Sequence, residues 1–122
     1  MQTTPIQGSG PFIQTADIEW EVPDPGITRQ VLGYDGELML VRVVFEMGAI
    51  GSPHRHPHRQ VSYVCRGAFE VTIDGETTTL RQGDSFFVAP DLLHGAVCTE
   101  AGELLDVFAP ARETFVPASD DA

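Results

Sequence analysis

Apolar and polar residues alternate along most of this chain with a period of two, and Gly, Pro and Asp interrupt the alternation at short intervals. Side chains at i and i+2 share one face of an extended strand, so the pattern predicts half-buried strands joined by turns. Residues 18–22 alternate apolar and acidic positions, and a turn follows at 23–26. A second strand is expected at 27–32. The Asp-Gly pair at 35–36 turns the chain into 38–45, an almost continuous apolar run expected to be a central strand. Arg42 interrupts that run and either points out of a barrel or lines its cavity. Further strands are expected at 61–65, 68–73, 76–80, 85–89, 95–99 and 104–108. Asp74-Gly75 between two of them is the clearest hairpin signal in the chain. Residues 100–103, with Gly102, are expected to turn. No segment keeps a 3.6-residue apolar period over ten residues. Short strands at intervals of about 8–12 residues describe an all-β sandwich or barrel.

The length of 122 residues suits one domain. Residues 1–16 are polar, contain Gly and Pro, and lack periodicity, so they are expected to form an N-terminal arm, flexible or swapped onto a partner. The domain proper is expected at 17–116, with an acidic tail at 117–122. Net charge is −11, and the seven basic residues are all arginine. That balance argues against nucleic acid and against an anionic membrane surface as partners. It also means that an anionic substrate must meet a local reversal of the field, from a metal or an arginine. Cys65 and Cys98 form no CxxC pair. No charged-then-apolar leader is visible, so a reducing cytoplasmic setting is expected.

Three of the four histidines lie in one stretch, 48–67. His54, His56 and His58 occupy every second position, and Gln60 continues the period. In extended chain these four side chains would share one face. Buried imidazoles need partners, and a divalent metal supplies one. The fourth histidine, His94, can complete a set of three. Gly48, His54-Arg55-His56, Gln60 and Gly67, with Gly83-Asp84 and His94 later, resemble the two motifs of the cupin family. Gln60 stands where Glu is usual, Pro90 sits one place late, Asp91 stands where Gly is usual, and Cys98 where Asn is usual.

The resemblance implies a double-stranded β-helix, or jelly-roll barrel, with a divalent transition metal (Zn, Ni, Fe, Mn or Co) held by His54, His56, Gln60 and His94. It uses only the first two histidines of the cluster, so a bend after His56 would leave His58 at the rim. A neutral amide in the Glu position leaves the centre nearer its full charge. This favours Lewis-acid or acid–base chemistry over oxygen activation.

Asp106 lies inside an apolar strand on the same face as Phe108, where desolvation would raise its pKa as a general acid or base requires. Arg112 follows and can clamp a carboxylate in bidentate fashion. The run from Leu104 to Phe115, with 54–76 and 29–45, resembles the small cupins of pectin and alginate breakdown, the KdgF type. That resemblance implies conversion of 4,5-unsaturated uronate monosaccharides to linear 4-deoxy-5-keto uronates. It implies Asp106 and Arg112 as catalytic groups, with Phe108 and Arg112 against a small anionic sugar acid. A homodimer through edge strands is expected of such cupins. The rival readings are an Fe(II) dioxygenase acting on a small organic substrate, a non-catalytic sugar-binding cupin, and a metal-dependent cyclase or isomerase.

Overall fold

The computed structural model describes residues 8–116, so residues 1–7 of the expected arm and the expected acidic tail lie outside the described part. Eight strands build it: β1 (Glu21–Asp24), β2 (Ile27–Tyr34), β3 (Met39–Phe45), β4 (Ile50–His54), β5 (Arg59–Ile73), β6 (Glu76–Arg81), β7 (Ser85–Val88) and β8 (His94–Ala109). All pairings are antiparallel, in the order β1-β2-β3-β8-β5-β6, with β4 also on β8 and β7 also on β5. This is the all-β jelly roll expected. The Asp74-Gly75 hairpin is in place, both residues taking positive φ.

The ribbon of β5 and β8 is the frame. Its register runs from Arg59↔Ala109 to Ile73↔His94. The first half of β5 pairs with β7 and its second half with β6, while β8 pairs first with β4 and then with β3. The alternation predicts separate strands at 61–65 and 68–73, and at 95–99 and 104–108 with a turn between. The structure instead shows two long strands that bend together. Gly67 has φ +82, and a Cβ there would lie 2.6 Å from the carbonyl oxygens of Glu100 and Ala101. A Cβ on Gly102 would overlap the Arg66 carbonyl oxygen. Two glycines facing each other let both backbones bulge at one corner without breaking the ribbon.

Alternation then fills the barrel. Met39, Val41, Val43 and Phe45 point in from β3, while Leu40, Arg42 and Val44 point out. The inner set meets Val64, Phe69, Val71, Leu104 and Phe108 in one core, with Phe45 and Phe69 edge to face at 5.0 Å. Each such buried side chain is worth about 1.5–3 kcal/mol of transfer free energy. Arg42 is bonded outside the barrel by Glu103, through Nε and Nη2 at 3.1 Å, and by Gln30 Oε1 at 3.2 Å.

The strand expected at 18–22 is displaced. A 3₁₀ turn at Thr15–Asp17 precedes a short exposed edge strand, β1, which tolerates Pro23 because it lies on the edge. Gln30 holds the preceding segment across the outside of β2, donating from Nε2 to the carbonyls of Thr15 and Ile18, both at 3.0 Å. The acidic–apolar alternation there records a segment laid over the barrel. Ser9 is tied back in the same way, its backbone N–H donating to the Tyr34 carbonyl at 2.9 Å.

Candidate active site

His54 closes β4, the chain bends through 55–58, and β5 begins at Arg59. The three histidines of the cluster therefore do not share a strand. The bend leaves His54 and His56 facing inward, near Gln60 on the buried side of β5. His94, the first residue of β8, pairs in register with His54. Ring centroids are 4.5 Å apart for His54–His94, 4.8 Å for His56–His94 and 5.3 Å for His54–His56. One nitrogen of each ring lies within 4.8 Å of the others, a grouping able to hold a metal ion.

The hydrogen bonds aim these rings. Nδ1–H of His54 donates to Ser52 O at 3.0 Å, that of His56 to His58 O at 3.0 Å, and that of His94 to Leu92 O at 2.9 Å. Each neutral ring then has a bare lone pair on Nε2. His94 Nε2 is buried with no partner among the described residues. His56 Nε2 faces Gln60 Oε1 at 3.1 Å. Two acceptors that close call for a cation between them, so the donor set fits a divalent metal. Burial, with Arg112 and His94 adding to it, brings the His56 pKa down to about 4, and burial likewise lowers that of His94. Both rings are thus neutral at physiological pH, as donors to a metal must be.

His58 leaves the group. It is buried, and its Nε2 donates to Glu113 Oε2 at 3.3 Å. Only its backbone carbonyl serves His56. Asp91, where the family pattern has glycine, takes φ +67. Its N–H donates to the His56 carbonyl at 2.8 Å, so the loop before His94 keeps the left-handed turn that a glycine would supply.

A cavity of about 350 Å³ opens beside the triad, near the small end of the range of roughly 300–1,000 Å³ for ligand pockets. His54, Gln60 and His94 line it together with Asp106, Phe108 and Arg112, and Phe108 is the cross-strand partner of Gln60. Desolvation raises the Asp106 pKa to about 6 despite a hydrogen bond from Ser62 and the nearby Arg112. Arg112 lies 4.4 Å from the centre of the Phe115 ring and 5.2 Å from that of Phe108. Burial and the neighbouring Arg29 pull its pKa down. The Arg29 guanidinium lies 3.8 Å from the centre of the same Phe115 ring, and Arg29 also lines the cavity. Ser62, Arg29, Phe115 and Glu113 did not stand out in the sequence. Ser62 could have been found by running the period of two one step beyond Gln60.

The cupin domain profile matches residues 41–108, more than half of the chain. The chain belongs to the cupin family. This cupin is 42% identical over 99 residues to the pectin degradation protein KdgF of Dickeya dadantii, covering 80% of its own length and 90% of that protein. It therefore falls in the KdgF group. It is also similar to an RmlC-like cupin of Shewanella frigidimarina, with a TM-score of 0.87 and 49% identity over 91% of this chain and 100% of that one. KdgF from Halomonas sp. gives a TM-score of 0.81 at 38% identity, covering 87% of this cupin and 98% of that chain.

Proposed function

We propose that this cupin opens the ring of 4,5-unsaturated uronate monosaccharides to give linear 4-deoxy-5-keto uronates. One juxtaposition carries the reading: a metal-capable His triad with Gln60 lines the same small cavity as a desolvated carboxyl, Asp106, and an arginine, Arg112. The relationship to KdgF proteins supports it.

The reaction breaks the bond between C1 and the ring oxygen, leaves carbonyls at C1 and C5, and moves the anomeric hydroxyl proton to C4. It needs a group that accepts and returns a proton near neutral pH, and Asp106, with its pKa near 6, suits that task. Arg112 holds the substrate carboxylate in a fixed orientation, its own side chain steadied on Phe108 and Phe115. Phe108 offers an apolar wall to the sugar face. His54, His56, His94 and Gln60 would hold one divalent transition metal, of the Zn, Ni, Fe, Mn or Co series. When bound, that ion supplies Lewis-acid polarisation of substrate oxygens.

The domain spans 17–116 in this reading. The cytoplasm is its setting, where the free thiols of Cys65 and Cys98 stay reduced. Its partner is a second copy. Leu40, Val107, Val61 and Phe87 form a continuous outward row across four hydrogen-bonded strands, with Leu105 and Tyr63 in the next row. Val61, Tyr63 and Phe87 are exposed. Around them Arg42, Arg59 and Arg66 outnumber Glu103 and Asp84, so on a chain of net charge −11 this face adds less to the repulsion between two copies than the acidic remainder does.

The test follows the conjugated C4=C5 double bond by ultraviolet absorbance, using unsaturated monomers from pectin and alginate. Metal-loaded protein accelerates its loss well above the spontaneous rate, and chelator or His94→Ala removes the acceleration. No acceleration by protein holding stoichiometric metal would overturn the reading.

A further inference from the structure

Ser62 lies fully buried on the inward face of β5, two residues beyond Gln60 and opposite Asp106 in the register of β8. Its hydroxyl is 2.9 Å from Gln60 Nε2 and 2.6 Å from Asp106 Oδ1. The order of donors along this path is forced. An ionised Asp106 offers only acceptors, so the Ser62 O–H donates to it. The Ser62 oxygen then has only lone pairs left for its other neighbour. The amide end of Gln60 that can approach it is the NH₂ group. The carbonyl end of Gln60 must therefore point the other way, to 3.1 Å from His56 Nε2. That His56 nitrogen is itself bare, because Nδ1–H is spent on the His58 carbonyl.

We infer that Ser62 is a positioning residue: it reads the direction of the Asp106 carboxylate and passes it to the Gln60 side chain, so that an oxygen faces the metal centre. Without Ser62 the amide is free to rotate by half a turn. Its NH₂ group would then donate to His56 Nε2, a satisfactory hydrogen bond that consumes a ligand and turns the wrong atom toward the ion. A carboxamide has this failure mode and a carboxylate does not, since a carboxylate carries oxygen at both ends. The device is thus specific to a site with Gln at position 60. It also couples the group proposed to move the proton to the group proposed to hold the metal, through one hydroxyl.

The inference rests on the metal reading above and is independent of the uronate reading. Its test is a competition titration of Co(II) or Zn(II) against a chromophoric chelator at pH 8, where Asp106 is ionised. The proteins compared are wild type, S62A, Q60E and the S62A/Q60E double variant. S62A is expected to bind metal 10–100-fold more weakly, the usual effect of losing a group that orients a ligand. In the Q60E background the same S62A change is expected to alter affinity less than about threefold, because no amide remains to flip. Ser62→Cys, close in size but a poor hydrogen-bonding group, should fall between wild type and S62A, and it replaces S62A should that variant fail to fold.

The Co(II) absorption bands, which report the ligand set, are expected to change in S62A and to be unaffected by S62A in the Q60E background. Wild-type affinity in S62A overturns the inference. An equal loss in both backgrounds also overturns it, since that would mark a packing defect. A wild-type protein that binds no divalent metal would instead overturn the metal reading itself, and this inference with it.

Discussion

Replacing Asp106 with Asn should make the metal-free protein more stable at neutral pH while abolishing turnover. The carboxyl is held in a desolvated cavity wall, and burial lifts its pKa from 3.8 to about 6. The folded state therefore holds this proton more tightly than the unfolded chain does. The stability it contributes is fully present below pH 3.8 and is lost as pH rises through 6. That interval is about two pH units, each worth about 1.4 kcal/mol, so the carboxylate costs on the order of 3 kcal/mol at pH 7.5. The amide carries no such cost. About 2.4 kcal/mol of that cost falls between pH 4 and pH 7.5, so with a urea slope of about 1.5–2 kcal/mol/M the midpoint of Asp106→Asn should move relative to wild type by roughly 1.2–1.6 M over that range. The lowered pKa values of His56 and His94 act in the opposite sense, giving stability that grows as pH rises, but they are common to both proteins and drop out of the difference. The assay is equilibrium urea unfolding in chelator at closely spaced pH values. A difference between the two proteins that stays flat across pH 4–7.5 would refute the claim that desolvation dominates at Asp106.

Four further outcomes follow from the same geometry. Gln60→Glu should still bind metal but slow the ring opening, because the added negative charge weakens the Lewis acid; an unchanged kcat would undo that argument. Arg112→Lys, which loses both the bidentate fork and the flat stacking surface on Phe115, should raise KM about tenfold or more with a smaller change in kcat, read from initial rates. Gly102→Ala should lower stability by roughly 2–4 kcal/mol, since its Cβ would overlap the Arg66 carbonyl oxygen and press to 3.0 Å from the Phe69 ring; an unaltered melting temperature would show that the corner gives way freely. Phe87→Glu should halve the mass seen by light scattering and leave each barrel folded, whereas a wild-type mass would move the interface elsewhere.

The strand pattern was legible where a strand has one buried face, as in β3, where inward and outward residues alternate without exception. The two long strands were not, because a glycine marks both a turn and a concerted bulge, and only the partner across the ribbon decides between them. Gly67 and Gly102 decide it by facing each other. The metal-capable histidines were legible from spacing in His54-Arg55-His56. The fate of His58 was not, since a bend of four residues after His54 breaks the face that strict alternation would have built. Arg29 and Phe115 lie far apart in sequence and meet only as a stack at the cavity wall, so no local pattern could join them. Asp91 shows the reverse case: a departure from the family pattern in the sequence proves to be the same backbone shape made with another residue.

The corner in the β5–β8 ribbon has a consequence for how the protein comes into being. His94 and His54 meet at one end of that ribbon, beside Ile73, while Asp106 stands opposite Ser62 toward the other. The pairing joins segments far apart in the chain, and such closure is slow because its entropy is spent before its contacts form. The unfolded polymer offers an ion little more than the neighbouring His54 and His56. A divalent metal bound at this triad would therefore be a late passenger: it would lengthen the lifetime of the finished barrel by holding the unfolding step back, and leave the rate of folding almost untouched.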